Sequence, residues 1–362
     1  MKISIDISSI IYGTGVSVYL TNLVGNLLKI DNKNNYLLGG YSFRRFGELE
    51  VYCENLKGNF QKKFIKLPPT FFEYLWNKYH IVTYESVIGR CDVYHSSDWT
   101  QAPSGAFKIT TVHDLIPVLH PQFSLPSIIT VQKRRLEWVK KEVDRIIVPS
   151  KQTLTDLITL GFNKNIISVI PEAPDDEIIP ADKDEIARVK HKLGVKTDYF
   201  LAIGITPRKN IDRIIKAYKK ITKQEKLSLV IVGEPKINVA GVKGVVFTNF
   251  IHNNDLGPLL SGAIGLIYPS LYEGFGLPIL EAMKCNTPVL TSNFGAMKEV
   301  AEDKCTLVDP YSIESIEKGM EKIINEGKRN DFSKILAKYS WETTAKKTLS
   351  IYQSKNNYIL CT

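Results

Sequence analysis

The chain has 362 residues, 44% hydrophobic and 23% charged, with 47 Lys and Arg against 38 Asp and Glu for a formal charge of +9. That suffices for about two domains of roughly 100–200 residues each and excludes a disordered chain, while no apolar run approaches the roughly 18 residues of a membrane span. Cys53, Cys91, Cys285, Cys305 and Cys361 are scattered, odd in number and never in a C-x-x-C pair. That spacing predicts reduced thiols, a cytoplasmic setting and no zinc site. The basic excess is mostly N-terminal: residues 1–170 carry 20 Lys/Arg against 14 Asp/Glu. No helix-turn-helix, zinc or RNA-binding signature accompanies it, so no nucleic-acid partner is expected.

Short apolar runs alternate with helical patterns, which predicts an α/β protein with parallel sheets. The chain opens directly on a strand-like run, Lys2–Ile7, so no signal peptide is expected. Further strands are predicted around Tyr36–Gly40, Asp92–His95, Ile109–His113, Arg145–Pro149 and Ser168–Pro171. Helices are predicted at Gly15–Ile30, Thr70–Ser86, Ser127–Lys141 and Lys151–Leu160, the last capped by Ser150. Gly13-Thr14-Gly15 after the first strand approaches G-x-G-x-x-G, but Val18 stands where the third glycine belongs and the preceding loop, Ser8–Tyr12, is long. What survives is a glycine loop at a helix start, where backbone can come close to an anion. Lys133, Arg134, Arg135, Lys140, Lys141 and Arg145 are read as one basic amphipathic helix, suited to an anionic membrane or to plain solvation.

His113 closes a strand and is followed by Asp114-Leu115-Ile116-Pro117. The stretch PEAPDDEIIPADKD, Pro171–Asp184, has prolines, acids and no periodicity, which predicts a linker. A second α/β series follows: helix Lys183–Leu193, strand Tyr199–Ile203, helix Ile211–Ile221, strands Leu227–Val232 and Val245–Thr248, helix Asn254–Ser261 and strand Gly265–Tyr268. Between its first strand and the next helix stand Gly204, Pro207, Arg208, Lys209 and Asn210. Arg offers a bidentate fork and Lys a mobile point charge, so the pair suits a diphosphate. After Tyr268 the chain reads Glu273-Gly274-Phe275-Gly276-Leu277-Pro278, with Glu281 farther on and Pro288-Val289-Leu290-Thr291-Ser292 behind it. This is strand, glycine turn, helix, strand. The free N–H groups of the helix start suit a phosphate or a sugar hydroxyl. Glu273 falls in the loop and Glu281 about one turn into the helix. The tail, Tyr339–Tyr358, is predicted helical.

The E-G-F-G-L-P stretch, its second glutamate, the P-R-K-N of 207–210 and the H-D-L-x-P of 113–117 together resemble the retaining nucleotide-sugar glycosyltransferases of family 4, in the subgroup with bacterial mannosyl- and hexosyltransferases. The resemblance spans nearly the whole chain and is most specific between Pro207 and Asn293. It implies the GT-B fold: two Rossmann-like domains facing across a cleft, with a C-terminal helix crossing back. The expected limits are 1–172 for an acceptor-binding domain, 173–183 for a linker, 184–340 for the nucleotide-sugar domain and 341–362 for the crossover helix and tail. It implies a catalytic set of His113, Glu273, Arg208 and Lys209. Donor binding falls to Gly13, Gly15, Gly204, Ile251, Gly274, Phe275, Gly276, Leu277 and Glu281. The implied donor is a GDP- or UDP-linked hexose, with no metal required and no other cofactor. The implied acceptor is a glycan or lipid-linked sugar in polysaccharide assembly, handled in the cytoplasm, at the inner face of the plasma membrane if the basic helix contacts anionic lipid. His113 is expected to bind the donor sugar as a neutral imidazole, and Asp98, Asp114 and His120 are placed on the acceptor side by their position in the chain. A nucleotide-sugar epimerase or hydrolase of the same fold, and a non-catalytic sugar-nucleotide-binding protein, stay open as alternatives.

Overall fold

Seven strands form the first sheet of the computed structural model, which describes residues 1–221, 227–234, 242–327 and 331–355. They are β1 (Lys2–Asp6), β2 (Asn35–Tyr41), β3 (Phe60–Ile65), β4 (Val93–Ser96), β5 (Phe107–Thr111), β6 (Arg145–Val148) and β7 (Ile167–Val169). All pairs are parallel, in the order β3-β2-β1-β4-β5-β6-β7. The order reverses between β1 and β4. Connections leaving the C-terminal ends of those strands diverge, and the crevice left there is where open α/β sheets bind ligands. Helix Trp341–Gln353 packs on helix Gly15–Ile30 within this same unit. Its Trp341 stands edge-on to Tyr19 at 6.0 Å, and the fully buried Tyr352 hydroxyl lies 2.7 Å from His95 Nδ1. The last part of the expected tail helix, 356–358, lies outside the described residues.

The second sheet holds β8 (Asp198–Ile203), β9 (Leu227–Val232), β10 (Val245–Phe247), β11 (Gly265–Tyr268), β12 (Val289–Ser292) and β13 (Thr306–Val308). It is parallel throughout, in the order β10-β9-β8-β11-β12-β13, so its reversal falls between β8 and β11. Alternate residues of each strand enter opposite cores. Tyr199, Leu201, Leu266 and Val289 pack with Ile279, Leu280 and Met283. Phe200, Ala202, Ile267 and Leu290 pack with Ile214, Tyr218, Ile316 and Met320. Burial on both faces explains why these strands read as continuous apolar runs. The unit spans Ala173–Tyr339, and the first takes Met1–Glu172 and the segment from Ser340.

Several expectations are corrected. The single helix expected over Thr70–Ser86 is instead a helix at Pro69–Phe72, a π-helical turn at Glu73–Lys78 and a separate turn at Tyr84–Val87. His80 and Val82 between them have φ of 52° and 61°. Aromatic packing decides this: Phe72 and Trp76 sink against Tyr41, and the Trp76 indole N–H donates to Val82 O at 3.0 Å. The basic helix ends at Glu142, and Arg145 belongs to β6. Arg135 is 2% exposed and donates to Thr110 Oγ1 at 2.6 Å and Thr111 O at 3.1 Å, so it is core and not basic surface. The expected linker is partly interior, with Glu172, Asp175 and Ile178 buried. Strands β3 and β13 and helices Phe46–Glu54, Gly295–Ala301 and Ile313–Glu326 were not anticipated. The lysines of β3 suit an edge strand, where charge discourages further pairing, and they break the apolar pattern that would reveal it.

Candidate functional site

The switch point of the second sheet assembles the cationic motif. Gly204 leaves β8 with φ of 85°, and a Cβ there would sit 3.1 Å from Lys209 Cγ. Pro207–Lys209 form one 3-10 turn, stopped by Asn210 in the left-handed region. The Asn210 amide donates to Pro269 O at 3.0 Å and Pro310 O at 2.7 Å. The two cations therefore stand just before helix Ile211–Ile221 rather than inside its first turn, and the loop after β11 anchors them.

Glu273 comes from that same loop and bridges both cations. Lys209 Nζ lies 2.7 Å from Glu273 Oε1, and Arg208 Nη1 pairs with Oε2 while donating to Tyr272 O at 2.8 Å. The Tyr268 hydroxyl donates to Glu273 Oε1 at 2.8 Å and also meets Lys209 Nζ, which sits 4.3 Å from the Tyr268 ring centroid. Burial alone would raise the Glu273 carboxyl. The charges of Lys209 and Arg208 overcome it and hold the group down at about 2. Lys209 is lowered, because burial outweighs the attraction of Glu273 and Arg208 adds repulsion.

Gly276, with φ of 117°, starts helix Leu277–Lys284, and Phe275 is buried edge-on to Tyr339 at 5.8 Å. Glu281 lies on this helix and is buried. Burial first, then the nearby Asp175 carboxylate, push it up to about 7 against the opposing pull of Lys209 and Lys284. Ile251 follows the short bridge between Gly233 and Asn249 and packs at the margin of the core. Arg208, Lys209, Glu273, Gly204, Ile251, Gly274–Leu277 and Glu281 all belong to the second unit.

Gly13, Gly15 and His113 belong to the first. Gly13 has φ of 64°, which favours glycine, and open space surrounds the Cβ position of both glycines. His113 Nδ1 lies 2.8 Å from Glu172 Oε1, with the Tyr19 ring edge-on at 4.6 Å. Burial would depress the imidazole, but the Glu172 hydrogen bond and charge raise it on balance. One ring nitrogen is thus committed to Glu172, whose hydrogen bond and charge favour the protonated ring. Asp114 Oδ1 accepts Ile116 N–H at 2.9 Å, a turn-forming role, and the His120 ring lies near Phe123. Sequence reasoning missed Glu172 and Tyr268, and it gave Asn210 a place in the motif without its anchoring role. Glu172 sat in a stretch read as solvated linker, and Tyr268 looked like strand core. Among the described residues no group of three or more His, Cys, Asp or Glu could hold a metal ion, and no helix is long and apolar enough to cross a membrane.

The family model Glycosyltransferase Family 4 matches residues 13–177, and Glycosyl transferases group 1 matches residues 183–339. O-antigen chain mannosyltransferase B of Escherichia coli is 23% identical over 72% of this chain and 74% of its own length. O-antigen chain mannosyltransferase RfbU of Salmonella typhimurium is 29% identical over 64% of this chain and 65% of its length. The serotype-specific mannosyltransferase WbdA of Escherichia coli is 28% identical over 66% of this chain, which spans only 32% of that relative. Sucrose-phosphate synthase from Thermosynechococcus elongatus superposes with a TM-score of 0.72 at 17% identity, covering 98% of both chains. Anabaena HepE in complex with UDP and glucose gives 0.72 at 15% identity, over 98% of this chain and 100% of that one.

Proposed function

We propose, for a chain that belongs to the GT-B-fold glycosyltransferases, that it transfers a hexose from a nucleotide-sugar to a glycan or lipid-linked acceptor with retention at the anomeric carbon. The observation that carries the reading is the buried Arg208–Glu273–Lys209 constellation at the switch point of the second sheet. Two cations held in place before any ligand arrives form a clamp that stabilises charge on a leaving diphosphate without reorganising. N–H groups of the Gly274–Leu277 turn add to it, as the positive end of helix Leu277–Lys284. The same cations supply the charge a divalent ion would bring, so the proposed reaction uses no metal.

Glu273, ionised at any ordinary pH, is no proton shuttle. Its proposed roles are to hold the clamp and to stabilise positive charge developing at the anomeric carbon. The leaving phosphate oxygen then takes the acceptor's proton in a front-face substitution. Glu281 accepts from the ribose hydroxyls, Gly204 lets the loop approach the phosphates, and Ile251 borders the base. In the first unit, Gly13 and Gly15 are assigned to backbone contact with the donor, and His113 to a sugar hydroxyl through Nε2, with Glu172 orienting the ring. The mannosyltransferase names of the relatives support mannose as the hexose and polysaccharide assembly as the setting. The base, guanine or uracil, and a cytoplasmic location at the membrane face belong to the same proposal.

A thermal-shift panel of GDP-, UDP- and ADP-sugars tests it, since a ligand that binds only the folded state raises the melting temperature. One donor class should stabilise the protein, and its consumption should depend on added acceptor. Consumption that ignores acceptor would favour a hydrolase or epimerase, and binding without turnover a sugar-nucleotide-binding protein.

A further inference from the structure

The buried residues of the final helix, Trp341, Thr344, Ala345, Thr348 and Tyr352, recur every three or four positions and form one face. That face packs on helix Gly15–Ile30. An apolar stripe would suffice to dock it, and a buried hydroxyl costs stability unless it finds a partner. Yet three of the five carry hydroxyls. Thr348 Oγ1 has no hydrogen-bond partner among the described residues. Thr344 and Tyr352 direct theirs toward the two supports of His113.

Those supports are Glu172, at Nδ1, and the edge-on ring of Tyr19. On the Glu172 side β7 ends at Val169, and Ile170 N–H still reaches Val148 O at 2.9 Å. Pro171, next in line, has no N–H with which to continue the ladder. Its carbonyl accepts from Thr344 Oγ1 at 2.7 Å, one residue before Glu172. Thr344 and Glu172 are 3% and 5% exposed, so water competes little for that bond. The Tyr19 side is reached twice. The Trp341 ring lies edge-on to Tyr19, and the Tyr19 hydroxyl is 3.0 Å from Thr111 Oγ1. Thr111 Oγ1 lies 2.9 Å from His95 Nε2, and His95 Nδ1 meets the Tyr352 hydroxyl. Burial, joined by the charges of His113 and Arg135, holds His95 down at about 3. A neutral ring donates from one nitrogen and accepts at the other, so His95 links Tyr352 to Thr111 with both nitrogens satisfied.

We propose that Thr344 and Tyr352 are positioning residues of the transfer. The final helix sets the place of the His113 imidazole, through Pro171 and Glu172 on one side and through His95, Thr111 and Tyr19 on the other. The consequence for catalysis rests on the glycosyltransferase reading, with His113 on the donor sugar. The brace on His113 itself does not.

Thr344→Val removes one hydroxyl and keeps the side chain's shape, and Tyr352→Phe does the same on the other route, so either serves if the other fails to fold. In both, kcat/KM for the nucleotide-sugar should fall about 3- to 10-fold, the scale of one lost hydrogen bond. The nucleoside diphosphate, which lacks the sugar, should bind by calorimetry as it does to the wild type. Thr344→Ser retains the hydroxyl and should rescue the rate. In a His113→Ala background the two substitutions should cost nothing further in kcat/KM, because the group they position is gone, although they still lower the melting temperature. A second arm needs no donor: the His113 ring is titrated by NMR, its signal assigned by its absence from His113→Ala. Glu172, Asp98 and Asp114 are the carboxylates that act on this ring, and His95 is the neighbouring imidazole. The Tyr19 phenol, raised by burial, stays uncharged. The pKa of His113 should fall in Thr344→Val, as the Glu172 contact loosens, and return in Thr344→Ser. Folded variants whose kcat/KM and His113 titration match the wild type overturn the proposal, as do losses that add in full to that of His113→Ala. A His113 titration that responds to Thr344→Val in a protein that binds no nucleotide-sugar upholds the brace and refutes the glycosyltransferase reading instead.

Discussion

Replacing Glu273 by Gln removes one charge and leaves two cations buried at the head of β8. The wild-type carboxyl is held at about 2 against an ordinary 4.5, which corresponds to about 3 kcal/mol of stabilisation at neutral pH. The side chain is only 10% exposed, so solvent screening removes little of it. Part is offset by Lys209, whose lowered pKa records the cost of its own burial. Leaving Lys209 and Arg208 without their carboxylate adds repulsion, and removal of one partner from a buried pair typically costs about 3–5 kcal/mol. A loss of about 3 kcal/mol is therefore expected in urea unfolding at pH 7. The sign with pH follows from the depressed carboxyl. Its contribution is full above about 4.5 and is lost as the pH falls toward about 2, so the wild-type and variant stabilities should converge in acid. A nucleoside diphosphate supplies the missing negative charge. Its saturating addition should raise the variant's melting temperature more than the wild type's, while kcat falls because nothing faces the developing positive charge. A destabilisation below about 1 kcal/mol, or a variant that loses nucleotide affinity, would refute the assignment of Glu273 as the bridge of a diphosphate clamp.

Arg208→Ala and Lys209→Ala should each lower kcat/KM by about one to three orders of magnitude, and unchanged kinetics in the double variant would remove the clamp from the mechanism. Glu281→Ala should weaken nucleoside diphosphate binding with a smaller effect on kcat, read by calorimetry, because ribose contacts are alike in ground and transition states. The raised Glu281 carboxyl, at about 7, costs stability as pH rises from about 4.5 through 7. Glu281→Gln should therefore melt higher than wild type at pH 8, with the advantage shrinking toward pH 5; a lower melting temperature at pH 8 would contradict this. Neutralising Lys133, Arg134, Lys140 and Lys141 should reduce salt-sensitive binding to anionic liposomes, at about 1 kcal/mol per cation near the surface. Arg134 should contribute least, since it is paired with the buried Glu73, and no liposome binding at low salt would point to a soluble acceptor.

Much of the fold was legible because local rules and tertiary outcome agree. The helices Gly15–Ile30 and Ile211–Ile221 and the strands Leu227–Val232 and Gly265–Tyr268 follow residue for residue from apolar periodicity and glycine punctuation. Ser150 caps its helix as read, accepting from Thr153 N. The motifs of the second unit were legible too, since a glycine turn, two adjacent cations and two glutamates are written in contiguous stretches. What contiguity cannot convey is partnership. Glu273 and the Arg208–Lys209 pair are more than 60 positions apart, and they meet because the sheet order reverses between β8 and β11, a decision taken by strand pairing across the whole unit. Glu172 looked like a solvated linker acid until packing set it against His113, and Arg135 looked like surface charge until the helix face turned it inward onto Thr110. The wide turn at Glu73–Lys78 had no local signature, because it depends on which aromatic rings of a continuous aromatic run find room beside Tyr41. Residue type and spacing determined which chemistry the chain carries; burial and strand order, which are properties of distant residues acting together, decided which groups are charged and what they face.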